Sequence, residues 1–203
     1  MLGTPTRNRV AERREETRRE ILDAAWSLVR EDGLAQLTLR RVAERVGMRA
    51  PSLYTHFASK NDIYDAMFGQ AWAECLDASL RQIEALPAGP RARLRGIARG
   101  FFDFSVNDLP RFQLMNQRVI PDFEPSATAY APSLQCMQML RNEMGAIGIV
   151  DDADVDLYVV IVGGLVDGQF ANDPGGTRYA RLLDRAIDMY ADNVGLPTEE
   201  TNP

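Results

Sequence analysis

The amino-acid sequence predicts an all-α protein, with a small three-helix head followed by a larger helical body. Three observations carry that prediction. Apolar residues recur at the three-to-four spacing of a helix in nearly every segment. Hydroxyl or acidic capping residues stand where those segments begin, and glycine or proline stands where they stop. The charge also divides: residues 1–60 carry 12 Arg/Lys against 8 Asp/Glu, whereas residues 61–203 carry 11 against 21.

Residues 1–16 are polar and Arg-rich and are expected as a flexible basic arm. Thr17 with Glu20 forms a capping box for the first helix. Its inner face is Ile21, Leu22, Ala25, Leu28 and Val29, and Asp32-Gly33 stops it. Thr38 caps a short second helix whose Leu39, Val42, Ala43 and Val46 face inward, and Gly47 takes the left-handed position that ends it. Pro51 opens a third helix of about six residues and is expected to hold Ala50 outside it. Ser59 with Asp62 caps a long fourth helix, broken by Pro87-Ala-Gly-Pro90. The expected domains are therefore the arm, a head at residues 17–60, and a body at residues 61–203.

The body also reads as helical. Helices are expected over 91–106, 109–119 and 132–147, with a loop over 120–131 where Pro121 and Pro125 fall. Residues 154–170 contain Val-Val-Ile-Val, which favours a strand by propensity. Their length of 17 residues and acidic start favour a helix instead. A last helix over 179–194 carries Tyr179, Leu182, Leu183, Ala186, Ile187, Tyr190 and Val194 on one stripe. The 154–170 helix is apolar on almost every side, too much for one face against its own core. It and the 179–194 helix are expected to pair with a second copy across a two-fold axis.

Composition excludes several classes. The longest apolar run, Leu157 to Val166, is half of what a bilayer span needs, so no membrane partner is expected. The basic beginning leads into no apolar signal region, and a cytoplasmic location is expected. Cys75 and Cys136 are 61 positions apart with no second cysteine near either, which excludes a CxxC site and reads as two core residues. His56 is the only histidine, so no Ser-His-Asp or Cys-His set can form elsewhere. Asp152-x-Asp154-x-Asp156 begins like a calcium loop, but Leu157 and Gly163 stand where glycine and glutamate are required. No enzyme activity, metal or cofactor is expected.

Two short helices joined by a glycine turn make a helix-turn-helix, which places its second helix in the DNA major groove. Ala43 is small where the helices cross, Gly47 lies in the turn, and Leu53 anchors the second helix. Arg49, Ser52 and Thr55 occupy its outer face as candidates for base edges, and Arg40 can reach guanine from the preceding helix.

The longer stretch "ILDAAWSLVREDGLAQLTLRRVAERVGMRAPSLYTHFASKNDIYDAMF" resembles the DNA-binding domain of the TetR family of transcriptional repressors. The resemblance rests on Ala24-Ala25, Gly33, Thr38-Leu39, Val42-Ala43, Gly47, Leu53-Tyr54, His56-Phe57, Ser59-Lys60 and Ile63. It implies that Tyr54, His56 and Lys60 clamp phosphates, with Thr38 beside them. Lys60 is the chain's single lysine, placed in the first turn of a helix whose backbone N–H groups also favour anions. Arg49 and Ala50 depart from the small polar pair common in the family, so the operator sequence does not carry over. The resemblance further implies a dimeric repressor of a palindromic operator, released by a small-molecule inducer. The alternative is a regulator that binds DNA without any ligand. Phe101, Phe104, Phe112, Met115, Met137 and Leu140 are candidates for an apolar ligand pocket, with Asn116 or Gln117 as its polar handle.

Overall fold

The protein is described by a computed structural model covering residues 9–198. In chain order it forms α1 (Arg9–Asp32), a 3-10 turn (Leu34–Gln36), α2 (Leu39–Arg45), α3 (Ala50–Tyr54) and α4 (Lys60–Ile83). The body continues with α5 (Pro90–Val106), α6 (Leu109–Asn116), α7 (Ala127–Ala146), α8 (Asp152–Asn172), a second 3-10 turn (Ala180–Leu182) and α9 (Leu183–Asn193). No strand occurs among the described residues.

Several helix boundaries differ from those expected; α6, for one, ends at Asn116 rather than at residue 119. Arg9–Glu16, expected in the arm, are the first two turns of α1; residues 1–8 lie outside the described residues. Thr17 caps nothing, because its hydroxyl donates to the Arg13 carbonyl at 3.0 Å from within the helix. Such back-bonding to the preceding turn lets threonine sit inside a helix. Ala50 is the first residue of α3 rather than excluded from it, with Pro51 at the second position. There a missing N–H costs nothing, since the first-turn N–H groups lack helical partners anyway. α7 begins at Ala127, capped by the Ser126 hydroxyl, and carries Pro132 inside it. The last helix is shorter than expected, because Ala180–Leu182 form a 3-10 turn before α9.

The apolar residues gather into two clusters. The first joins Leu53 and Phe57 of the head to Ile63, Met67 and Cys75 of α4, and on to Leu114 and Cys136 of the body. Packing is therefore continuous across the 60/61 boundary. The second joins Leu94 and Phe102 to Tyr158, Val162, Leu183 and Ile187 in the far half of the body. α4 and α7 lie parallel against each other. Asp65 accepts hydrogen bonds from the Ser126 backbone and hydroxyl at 2.6 and 2.8 Å. A Cβ placed on Gly69 would stand 3.2 Å from the Ala129 Cα. Glycine there lets the two backbones approach closely.

Several of the body's arginines pair with its own acids. Arg91, Arg95 and Arg99 of α5 meet Asp192, Asp188 and Asp184 of α9 at 2.6, 2.5 and 3.1 Å, an antiparallel ladder at four-residue steps. Head and body are tied by Arg30 of α1, which donates to the buried Asp108 carboxylate at 2.8 Å. The same carboxylate caps α6 by accepting from the Arg111 N–H at 3.1 Å. Losing a cap costs about 1 kcal/mol, and a half-exposed ion pair adds up to about 1. Asp108→Ala is therefore expected to lower stability by about 1–2 kcal/mol in urea unfolding. Asp108→Asn, which still caps, should recover much of that loss.

Candidate nucleic-acid interface

The helix-turn-helix forms at α2 and α3, and its turn is closed by backbone bonds. Gly47, at φ 71°, follows the last turn of α2. Its N–H donates to the Glu44 carbonyl at 3.2 Å, and the Met48 N–H donates to the Ala43 carbonyl at 2.8 Å. This pair of bonds is the Schellman motif, which requires a left-handed residue where glycine stands. Ala43 and Leu53 are buried at the crossing, so α3 is held from beneath by its only buried side chain.

The outer face of α3 is polar and open. Arg49 is the N-cap residue of α3, and Arg49, Ser52, Tyr54 and Thr55 are all exposed. The Thr55 hydroxyl donates to the Ser52 carbonyl at 2.7 Å, which leaves its oxygen to accept rather than its proton to donate. Thr38 caps α2 by accepting from the Arg41 N–H at 3.3 Å, so its own O–H stays available to a phosphate. Ser59 caps α4 by accepting from the Asp62 N–H at 3.1 Å, and its own O–H donates to the Asp62 carboxylate at 2.7 Å. Lys60 follows in the first turn of α4, its Nζ 5.5 Å from the centre of the Tyr64 ring.

Charge separates the head's basic residues into two groups. Arg40, Arg41 and Arg45 are paired with Glu44, Asp32 and Glu31. The Arg45 guanidinium, hydrogen-bonded to Glu31, pulls that carboxyl down to about 2. Arg49 and Lys60 have no carboxylate partner among the described residues, and they flank α3. Arg40 is held by Glu44 at 2.8 Å but is highly exposed. Solvent screens an exposed pair of this spacing, so a stronger acceptor can claim Arg40.

Two arginines missed in the sequence position this surface. Arg14 donates to the Thr55 carbonyl at 3.4 Å, and Arg18 donates to the His56 carbonyl. The Arg18 guanidinium also lies 4.1 Å from the Phe57 ring centre. Together they fasten the end of α3 to α1. Their spacing of four on one helical face was the available signal, hidden while residues 9–16 were read as an arm. The His56 Nδ1 is buried without a hydrogen-bond partner.

The ligand candidates do not form one group. A cavity of about 110 Å³ lies among α4, α5, α7 and α8, and Phe101, Asn116, Met137 and Leu140 line it. Trp72, Cys75, Cys136 and Tyr158, unanticipated in the sequence, share its wall. Met115 and Gln117, with Asn116, border a separate cleft of about 390 Å³. Phe112 is instead a core residue against Phe170, with ring centres 5.6 Å apart. Phe104 lies under the Arg111 guanidinium at 4.3 Å. Neither lines the cavity.

Known proteins resemble this chain in sequence and in fold. Residues 21–67 match the family described as bacterial regulatory proteins, tetR family. The transcriptional activator FasR of Mycolicibacterium smegmatis is 32% identical over 102 residues, 50% of this chain and 46% of that protein. The transcriptional repressor KstR2 of Mycobacterium tuberculosis is 34% identical over 96 residues, 47% of this chain and 48% of that protein. The chain thus spans about half the length of the curated relatives it matches. The fold resembles the crystal structure of the transcriptional regulator FadR from Bacillus subtilis in complex with stearoyl-CoA, with a TM-score of 0.69 at 15% identity. That likeness covers 84% of this chain and 96% of the other.

Proposed function

We propose that the chain, whose residues 21–67 match the tetR family of bacterial regulatory proteins, acts as a dimeric repressor, binding a near-palindromic DNA operator and leaving it when a small molecule occupies the body. One observation carries the DNA reading: Arg49 and Lys60, free of carboxylates, stand on either side of an exposed polar helix. Arg49, Ser52 and Thr55 face the base edges, with Arg40 joining them as Glu44 lets go. Thr38, Tyr54, His56 and Lys60 hold phosphates.

These roles separate experimentally. Lys60→Ala is expected to weaken all duplexes similarly and to reduce the slope of log affinity against log salt by about one. Arg49→Ala is expected to cost about 1–3 kcal/mol on the preferred duplex and to relax preference at one base position. Both are read from salt-dependent binding to a panel of single-base variants. The opposite pattern, with Lys60→Ala changing sequence preference, would reverse the two assignments.

The dimer reading rests on the outer faces of α8 and α9. Leu157 and Val160 of α8, Leu182 at the end of the second 3-10 turn and Met189 of α9 are exposed apolar residues. Gly163 and Gly164 interrupt α8 where a Cβ would meet nothing within 4 Å. A mid-helix glycine is unfavourable by about 1 kcal/mol, and an approaching helix gives it a use. Leu183 is fully buried inside the protomer and belongs to the core rather than to this face.

The ligand reading rests on the cavity. Its 110 Å³ is well below the roughly 300–1,000 Å³ of sites for drug-sized molecules. An occupant must be small, or Met137 and Met139 must re-pack around it. The small volume also favours the second reading, a regulator that binds DNA without ligand control. Linkage decides between them: an inducer must lose the same factor of affinity for the protein that DNA loses. A molecule that binds equally well with and without operator is no inducer.

A further inference from the structure

Cys75 and Cys136, so far apart in the chain, meet in the cavity wall. Cys75 is on α4 and Cys136 on α7, and both side chains line the same cavity, near enough for each thiol to shift the other's ionisation. The Cys136 sulfur also lies 3.9 Å from the Trp72 carbonyl oxygen, one turn before Cys75. Parallel packing of α4 and α7 sets this register, the same one that joins Asp65 to Ser126 and brings Gly69 against Ala129. Both thiols are free. On the same wall, the Trp72 indole N–H is buried without a hydrogen-bond partner. A buried donor left unpaired is unfavourable, and an oxygen-bearing occupant of the cavity would satisfy it.

The two sulfurs are not equivalent. Interaction with Cys136 lowers the Cys75 thiol below the usual range, while Cys75, together with burial, pushes Cys136 well above it. Cys75 is thus the sulfur that loses its proton first, and the thiolate is the reactive form.

We infer that Cys75 and Cys136 form an oxidisable dithiol site inside the cavity, which takes an apolar organic hydroperoxide and closes to a disulfide joining α4 to α7. The inference rests on the cavity being open to small apolar molecules, as in the proposed function. The Cys75 thiolate attacks the terminal oxygen of the hydroperoxide. The S–O bond forms, the O–O bond breaks, and the alkoxide leaves with the proton from Cys75 as an alcohol. Cys136 then attacks the Cys75 sulfur; the S–S bond forms, the S–O bond breaks, and hydroxide leaves with the Cys136 proton as water. One hydroperoxide is reduced by two electrons and two thiols are oxidised by two. The Trp72 N–H is the donor available to the departing oxygen. The bond would fasten the middle of α4, whose first turn carries Lys60, to the body.

The test treats the reduced full-length protein with a small excess of cumene hydroperoxide, then measures intact mass without reductant and free thiols in denaturant. The expected result is the loss of two hydrogens within one chain, both thiols vanishing together and returning with dithiothreitol. Cys136→Ala should stop at Cys75 sulfenic acid, trapped as a dimedone adduct, because no second thiol remains to close the bond. Circular dichroism of this variant establishes that it is folded. Thiols that persist in the treated wild type, crosslinks only between chains, or no Cys75 adduct in Cys136→Ala would each overturn the inference. Operator binding by the untreated protein is scored separately, so failure to bind DNA counts against the proposed function and leaves the thiol result standing.

Discussion

Val160→Glu is expected to split the dimer and to weaken binding to a palindromic duplex by about 10²–10⁴-fold. Val160 is two-thirds exposed on α8, so the charge adds no strain inside the protomer. Across a two-fold axis it would bring two carboxylates into an apolar interface, where unpaired charges are costly. Each head then binds its half-site alone, and the gain from linking two sites is lost without any DNA contact being altered. Light scattering should give the monomer mass at micromolar concentration, with unchanged helix content. A variant that remained dimeric would move the interface away from α8.

Leu53→Ala is expected to have the second large effect. Leu53 is fully buried and is the only buried residue of α3. Truncating such a leucine costs about 2–5 kcal/mol, a large part of the roughly 5–15 kcal/mol that holds a domain together. A helix of five residues has no stability of its own, so α3 depends on this anchor to keep Arg49, Ser52 and Thr55 in register. DNA affinity should fall for every sequence. The α8–α9 dimer should survive, because Leu53 lies in the first apolar cluster and those helices are built on the second. Urea unfolding, duplex binding and light scattering on one sample separate the three effects. Unchanged DNA affinity would show that α3 does not present the interface.

The parts of the fold written in local chemistry were legible in the sequence. Thr38, Gly47 and Ser59 announced the ends of α2 and the start of α4, because capping is a short-range hydrogen-bonding pattern. The helix at α8 was legible despite its Val-Val-Ile-Val run, because length and an acidic N-terminus outweigh propensity. Local pattern also misled. Thr17 and Glu20 satisfy a capping box, yet the helix passes through them, since a threonine can return its hydroxyl to the previous turn. Pro132 looked like a first residue and is inside α7, where Ser126 caps the start instead.

Features fixed by tertiary register were not legible. Nothing local says that Cys75 meets Cys136 or that Trp72 lines the same wall; the parallel run of α4 beside α7 decides both. The stripe of the last helix was recognisable, but not which of Leu182 and Leu183 faces outward. Likewise, the aromatic and methionine residues of the body were grouped by type, and packing divides them. Phe101 and Met137 reach the cavity, while Phe112 serves the core.

The central claim, that an exposed α3 flanked by Arg49 and Lys60 reads DNA as a symmetric pair, is tested most directly by selecting bound duplexes from random DNA with the full-length protein. Selection at moderate salt suppresses the contribution of phosphate contacts alone. The account predicts enrichment of one near-palindromic sequence whose half-sites are centred about one helical turn, or a multiple of it, apart. Preference at one position in each half should relax with Arg49→Ala. Recovery of unselected sequence, or of a single asymmetric site unchanged by Arg49→Ala, would contradict it.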